Sequence, residues 1–348
     1  SHSSICKIAN TTFENFPSQN EYIELPTDQG GGIAVYASNT LTGTMSITGL
    51  GIGTASPVTF TNCYQGVLVK GGHVTTTQIK MHNMTYCITA RENDWSNVNI
   101  MANILNDVRN TGVQSLLNET ANTLNITSNS ITTTGSVAKG ILISERGTAV
   151  QGRQLNVETN IITTTNGGSG IECNNVNHAR LLYNSITQDE NSSNTNAQYG
   201  IKLNGNEATQ LNCNSVTRNN SSTAVNFGYH INISTGNNLV CNTANSNDVG
   251  IYFGGDCDVF NIVAGNTMTN CATGLLLNSA ARIGTQLHKG NKWINTQGGS
   301  TKAENLNTLN NNYLNSLLKY NPNSGTIYAP TIINPPLWFD ADVSGITF

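Results

Sequence analysis

Charge is what this sequence has least of. Asp, Glu, Lys and Arg make up 10% of its 348 residues, against about 25% in an ordinary globular domain. The 16 Lys and Arg residues are scattered, so the basic footprint of a nucleic-acid binder is missing. No stretch of about 18 apolar residues exists, which excludes a helical membrane span. The eight cysteines contain no Cys-x-x-Cys pair, which removes the usual zinc spacing. No secretion signal is legible at Ser1, so the chain is expected to begin as a trimmed product. Disorder is excluded in turn, because hydrophobic residues reach 37% and such a chain buries apolar surface.

What is abundant is Asn, Thr, Ser and Gly, and they recur in register. Gly-Ile-like tripeptides begin at Gly140, Gly170, Gly200, Gly228, Gly250 and Gly274, in steps of 30, 30, 28, 22 and 24 residues. An Asn closing a short apolar run recurs at Asn129, Asn160, Asn184, Asn214, Asn242, Asn266 and Asn291. Two markers alternating at roughly 20 to 30 residues define a solenoid. Within each repeat, runs such as Ile141-Leu142-Ile143 and Ile201-Lys202-Leu203 alternate with a period of two, so they are strands with one buried face. No room is left for a helix, and the Leu-x-x-Leu-x-Leu frame of leucine-rich repeats is missing. The fold expected is all-β: a single-stranded right-handed parallel β-helix with N- and C-terminal caps. Its rungs stack at about 4.8 Å. The marker Asn is expected to supply the left-handed bend at each corner and to stack its amide on the next as an asparagine ladder. Two inward columns follow from the phase: Ile141, Ile171, Ile201, Ile251 and Leu275 in one, and Ile143, Cys173, Leu203, Ile231, Phe253 and Leu277 in the other.

Taken in order, residues 1–31 do not repeat and are assigned to an N-terminal cap. Regular coiling runs over 32–294. Residues 295–348 form a C-terminal cap and an extended tail, in which Ala303, Leu306, Leu309, Tyr313 and Leu317 suggest a short amphipathic helix or an irregular cap. Pro330, Pro335 and Pro336 hold the tail extended, and Trp338 and Phe339 offer an apolar anchor. Cys213 and Cys241 stand before the marker Asn on consecutive rungs, within reach of a disulfide. Free, buried thiols are the expectation for most of the cysteines.

The Asn-x-Ile-Thr corners and Gly-Ile-x-Leu strands resemble the right-handed parallel β-helix repeat superfamily, which includes pectate lyases, polygalacturonases, alginate and chondroitin lyases, phage tailspikes and bacterial surface proteins. The resemblance covers about three quarters of the chain and speaks to fold, since fold does not imply function. A narrower likeness lies in Ile283-Gly284-Thr285-Gln286-Leu287-His288-Lys289-Gly290-Asn291-Lys292-Trp293 followed by Trp338-Phe339. It resembles secreted, cell-surface β-helix domains of gliding-type Gram-negative bacteria, exported as type IX secretion cargo. That likeness implies a larger precursor, partners among its other domains and the secretion machinery, and a secreted or cell-surface location.

Enzymes of the superfamily carry their chemistry on the outer face of one strand row. Here that row reads Leu142, Glu172, Lys202, His230, Tyr252 and Leu276. A polysaccharide lyase needs a base such as Lys, His or Tyr and a cation beside the uronate carboxylate, so Glu172, Lys202, His230 and Tyr252 are the candidate catalytic set. The competing reading is an ordinary polar outer face. Hydrolase signatures are missing: there is no Gly-His-Gly, no Arg-x-Lys and no pair of acids on neighbouring rungs at the separation a glycosidase requires. Asp256 and Asp258, in Gly254-Gly255-Asp256-Cys257-Asp258, are the candidate oxygen ligands for Ca²⁺; a tight turn is the alternative, and no other cofactor is expected. Asn-x-Ser/Thr sequons at Asn10, Asn83, Asn118, Asn125 and Asn232 are ascribed to composition. The leading expectation is a non-enzymatic structural or adhesin-like domain that contacts glycans. A polysaccharide lyase is the alternative.

Overall fold

The computed structural model describes residues 58–91, 97–118, 123–146, 154–189, 195–220, 223–255, 260–278, 280–296, 301–307 and 309–344, with Cys257 and the short stretches 5–8, 12–14, 33–38 and 44–48. It is a parallel β-solenoid. Through the strand Thr273–Leu277, each turn contributes one short strand to each of three sheets; a fourth, three-stranded sheet joins Gln286–Leu287, Leu318–Tyr320 and Phe339–Ala341 near the C-terminal end. In one turn these are Thr123–Thr127, Ser130–Thr133 and Lys139–Arg146; in the next they are Gln154–Glu158, Ile161–Thr164 and Gly168–Asn174. The three sheets hold ten, eleven and twelve parallel strands among the described residues. Parallel pairing also lies outside 32–294. Ile5–Ile8 pairs with Thr44–Thr48, and Lys302–Asn305 and Ile332–Asn334 extend the third sheet. Ala303 therefore belongs to a strand, beside Leu275, rather than to a helix. Four 3₁₀ segments form among the described residues, the longest over Leu309–Ser316.

Both inward columns lie where the period of two puts them. Ile141, Ile171, Ile201, Ile251 and Leu275 are fully buried, as are Ile143, Cys173, Leu203, Ile231, Phe253 and Leu277. On the rung between Ile201 and Ile251 the first column is filled by Tyr229, whose hydroxyl donates to the Asn214 carbonyl at 2.7 Å.

The asparagine ladder stands at the corner between the first and second sheets. Asn214 Nδ2 donates to Asn242 Oδ1 at 3.0 Å and to the Leu181 carbonyl at 2.8 Å, and its own Oδ1 accepts from the backbone and side chain of Asn184. The same bonds link Asn129, Asn160, Asn184, Asn242, Asn266 and Asn291. Asn103 extends the ladder by one rung. The bend itself is made elsewhere than expected. The left-handed residue is the one before each ladder Asn: Ala102, Ser128, Thr159, Tyr183, Cys213 and Cys241 all have φ between 53° and 57°. The Asn is retained for its amide, which satisfies backbone groups that a corner leaves without strand partners. Corner residues on adjacent rungs are near neighbours, and Cys213 and Cys241, with Cα atoms 4.6 Å apart, form a disulfide there. Cys63, Cys87, Cys173, Cys257 and Cys271 are buried, and burial raises the Cys87, Cys173 and Cys271 thiols.

The marker glycines have a packing cause. A Cβ on Gly140, Gly170, Gly200, Gly228 or Gly250 would sit 2.5 to 2.7 Å from the carbonyl oxygen of the next glycine in the column. At Gly200 it would also lie 2.4 Å from Val216 Cγ1.

Three substitutions separate these devices by their shift in unfolding midpoint. Asn214→Leu removes two donors and an acceptor from buried partners and should cost about 1 to 3 kcal/mol. Leu203→Ala opens a cavity and should cost about 2 to 5 kcal/mol. Gly200→Ala deletes nothing, yet overpacking should cost about 1 to 3 kcal/mol. A neutral Gly200→Ala would refute the packing account of the column.

Candidate functional site

The third-sheet register places the predicted row in one line. Leu142 pairs with Glu172, Glu172 with Lys202, Lys202 with His230, His230 with Tyr252 and Tyr252 with Leu276. Glu172, Lys202, His230 and Tyr252 are thus brought together on four consecutive rungs. Glu172 is buried and held by three groups. Ser169 Oγ donates to Oε2 at 3.0 Å and Asn174 Nδ2 to Oε1 at 3.1 Å. Lys202 Nζ lies 3.8 Å from Oε2.

A second outward row runs beside the first and brings in Tyr199 and Phe227, which pair across the same rungs. Their rings stack at 5.4 Å between centroids and 9° between planes. His230 and Tyr252 stack in the same manner at 4.6 Å and 21°. His230 meets both Tyr199 and Phe227 edge to face at about 5 Å. Lys202 Nζ lies 4.9 Å over the Tyr199 ring. The result is a half-buried aromatic cluster on the outside of the coil, bordered by one ion pair. Asn278 Nδ2 donates to the Tyr252 hydroxyl at its far end. Tyr199 and Phe227 were detectable in the sequence as the residues that precede the marker glycines Gly200 and Gly228.

The electrostatics do not favour acid–base chemistry. Burial, and then the charge of Lys202, pull the His230 imidazole down to about 4, so it is neutral at pH 7. Its Nδ1 is enclosed without a hydrogen-bond partner among the described residues. The Lys202 cation is shared between a carboxylate and a ring. A uronate carboxylate approaching Lys202 would meet the negative charge of Glu172 as well. Burial, and then the charge of Glu172, also raise the Tyr199 phenol. The arrangement can offer apolar ring surface and phenol hydroxyls; of its two charged members, Lys202 is paired with Glu172.

Asp256 and Asp258 lie outside the described residues. Among the described residues no three His, Cys, Asp or Glu side chains stand together as a metal site, and no helix is long and apolar enough to cross a membrane. Of the sequons, Asn83, Asn125 and Asn232 spend their Nδ2 on the Oδ1 of Asn62, Asn99 and Asn204.

The His230 shift makes stability depend on pH with a definite sign. The folded pKa of about 4 lies below the ordinary value near 6.5. Between these values the unfolded chain binds the extra proton, so stability falls as pH drops from about 6.5 to 4 and levels off below. The full effect is at most roughly 3 kcal/mol. Urea unfolding at both ends of this window should show the loss in the parent chain and a reduced loss in His230→Phe; equal slopes would refute it. No family model, no curated protein and no solved structure matches this chain.

Proposed function

We propose that this chain is a structural β-helix domain of a secreted or cell-surface protein, which contacts glycans through its outer aromatic cluster and performs no catalysis there. The single observation that carries the reading is the Tyr199, Phe227, His230 and Tyr252 cluster on the third-sheet face. Half-buried rings without free charges suit the apolar faces of uncharged sugar rings, with phenol hydroxyls to orient them. The same cluster argues against a lyase, which needs preorganised positive charge where the substrate carboxylate and the enolate develop. Two further features support the location. The Cys213–Cys241 disulfide suits an oxidising compartment, and the stretch from Ile283 to Trp293 resembles secreted surface domains of gliding bacteria. A domain of this kind serves as a rigid spacer or adhesin within a larger protein, with its other domains and the secretion apparatus as partners.

The test pairs an activity screen with a binding measurement. Pectin, alginate and chondroitin should yield no unsaturated product with the intact chain. Neutral oligosaccharides should bind weakly, and Phe227→Ala and Tyr199→Ala should lower that affinity by about tenfold each, a loss of about 1.4 kcal/mol. Product release that disappears in a Lys202→Ala, His230→Ala double variant would replace this reading with the lyase.

A further inference from the structure

The outer face of the second sheet belongs neither to the core nor to the aromatic cluster. On six consecutive rungs, from Ser130–Thr133 to Thr267–Thr269, each strand presents two outward side chains. The first rank is Ser130, Ile161, Ser185, Ser215, Thr243 and Thr267. The second is Thr132, Thr163, Thr187, Thr217, Asn245 and Thr269. Both ranks pair from rung to rung without a register shift. All of these residues except Ile161 and Asn245 carry a hydroxyl, and none is charged. They are exposed or half-buried, while the residue between each pair is buried, as Ile186 is between Ser185 and Thr187. Charge returns beyond them, at His82 and Asp107 on one side and at Lys292 on the other. The other two faces differ. On the first sheet Asn156, Asn125 and Asn99 spend their amides on one another, and on the third the row is built on the Lys202–Glu172 pair. Just past the strands, the Thr134 and Thr165 hydroxyls donate to backbone carbonyls. The hydroxyls of the second rank have no such partner among the described residues.

Each first-rank residue directly follows a ladder Asn, so the buried amide column holds these backbones in step. Sheets of many strands otherwise twist, and side-chain ladders are one device that keeps them flat. The array therefore repeats in two directions, at about 4.8 Å between rungs and about 6.6 Å between the two ranks of one strand. A flat face encloses no small ligand, as a cleft would, and an uncharged one does not steer a charged polymer. Its complement is an extended, uncharged surface with both repeats, made of groups that donate and accept as a hydroxyl does. Crystalline water meets these conditions, because the prism face of hexagonal ice repeats its oxygen atoms at spacings near both values. We propose that this face binds ice, with the Ser and Thr hydroxyls taking lattice positions of water. The Thr methyl groups and Ile161 fill the space between them and exclude liquid water. The face lies on a different sheet from the Tyr199 and Phe227 cluster and acts independently of it.

Two measurements on the intact chain test this: thermal hysteresis, and uptake of the fluorescently labelled protein into slowly growing ice. The parent chain should hold a seed crystal from growing over a measurable interval below its melting point, and should enter the ice while a non-binding protein is rejected. Thr187→Lys and Thr217→Lys, at the centre of the face, should lose most of the interval and of the uptake. Ser185 is exposed, so Ser185→Lys makes the same test at a position that packing does not constrain, and it should show the same loss. Gln210→Lys, on the outer face of the first sheet, should leave both readouts unchanged. An unchanged melting temperature of the protein shows that each variant is folded. The proposal is overturned if the parent chain shows neither hysteresis nor uptake, or if Ser185→Lys retains both in full. Retention on microcrystalline cellulose without uptake into ice would overturn it in favour of a crystalline polysaccharide. A dimer that Thr187→Lys disperses, again without uptake, would overturn it in favour of a second copy of the chain.

Discussion

Along the three long sheets, each strand position has its own counterpart on the next turn as nearest neighbour. Parallel strands stack at about 4.8 Å, so a residue type that cannot tolerate its own kind at that spacing is excluded from the column. The constraint acts on each layer of the structure. An amide meets an amide and becomes a ladder; a glycine meets a carbonyl oxygen and cannot be replaced; an isoleucine meets an isoleucine and excludes water. A buried Asn would be costly alone. In the column it satisfies its neighbours and they satisfy it, which is how so many buried amides coexist with a narrow apolar core.

The same rule gives the outer face its character. Side chains on the third sheet stand close enough to bury one another, so a surface position is half-interior. Glu172 is buried although it points outward, and His230 loses its proton affinity without entering the core. A row that looks like a line of titratable groups is physically a small external core with one ion pair at its edge. Its chemistry is set by desolvation more than by the identity of the groups, and desolvation here weakens the base that catalysis would need.

Repetition also decides what could be read in advance. Strand phase, both inward columns and seven ladder asparagines are visible because each is stated once per turn, and the copies confirm one another. The physical role of Asn is less visible. The left-handed residue before it varies from Ala to Tyr to Cys, since the corner geometry overrides preference, and no composition signal marks it. Asn103 escaped although Gly112 and Val113 follow it, a pair of the same kind as Gly274 and Leu275. Tyr199 and Phe227 escaped for a geometric reason. At Gly200 and Gly228 two consecutive residues face inward, which breaks the alternation and shifts everything before the glycine by one. The contacts of the C-terminal segment, such as Trp293 against Phe339, were not legible, because they join segments that do not repeat.

The ladder has a direction. Each Asn Nδ2 donates forward, from Asn103 to Asn129 and onward to Asn291, while the first oxygen accepts from the Ile79 amide. Eight side-chain dipoles are therefore aligned along the coil, as peptide dipoles are in a helix, and aligned bonds polarise one another. The nitrogen end of this side-chain wire is Asn291. The ladder thus has electrically distinct ends inside a longer coil, and its positive end is the C-terminal one.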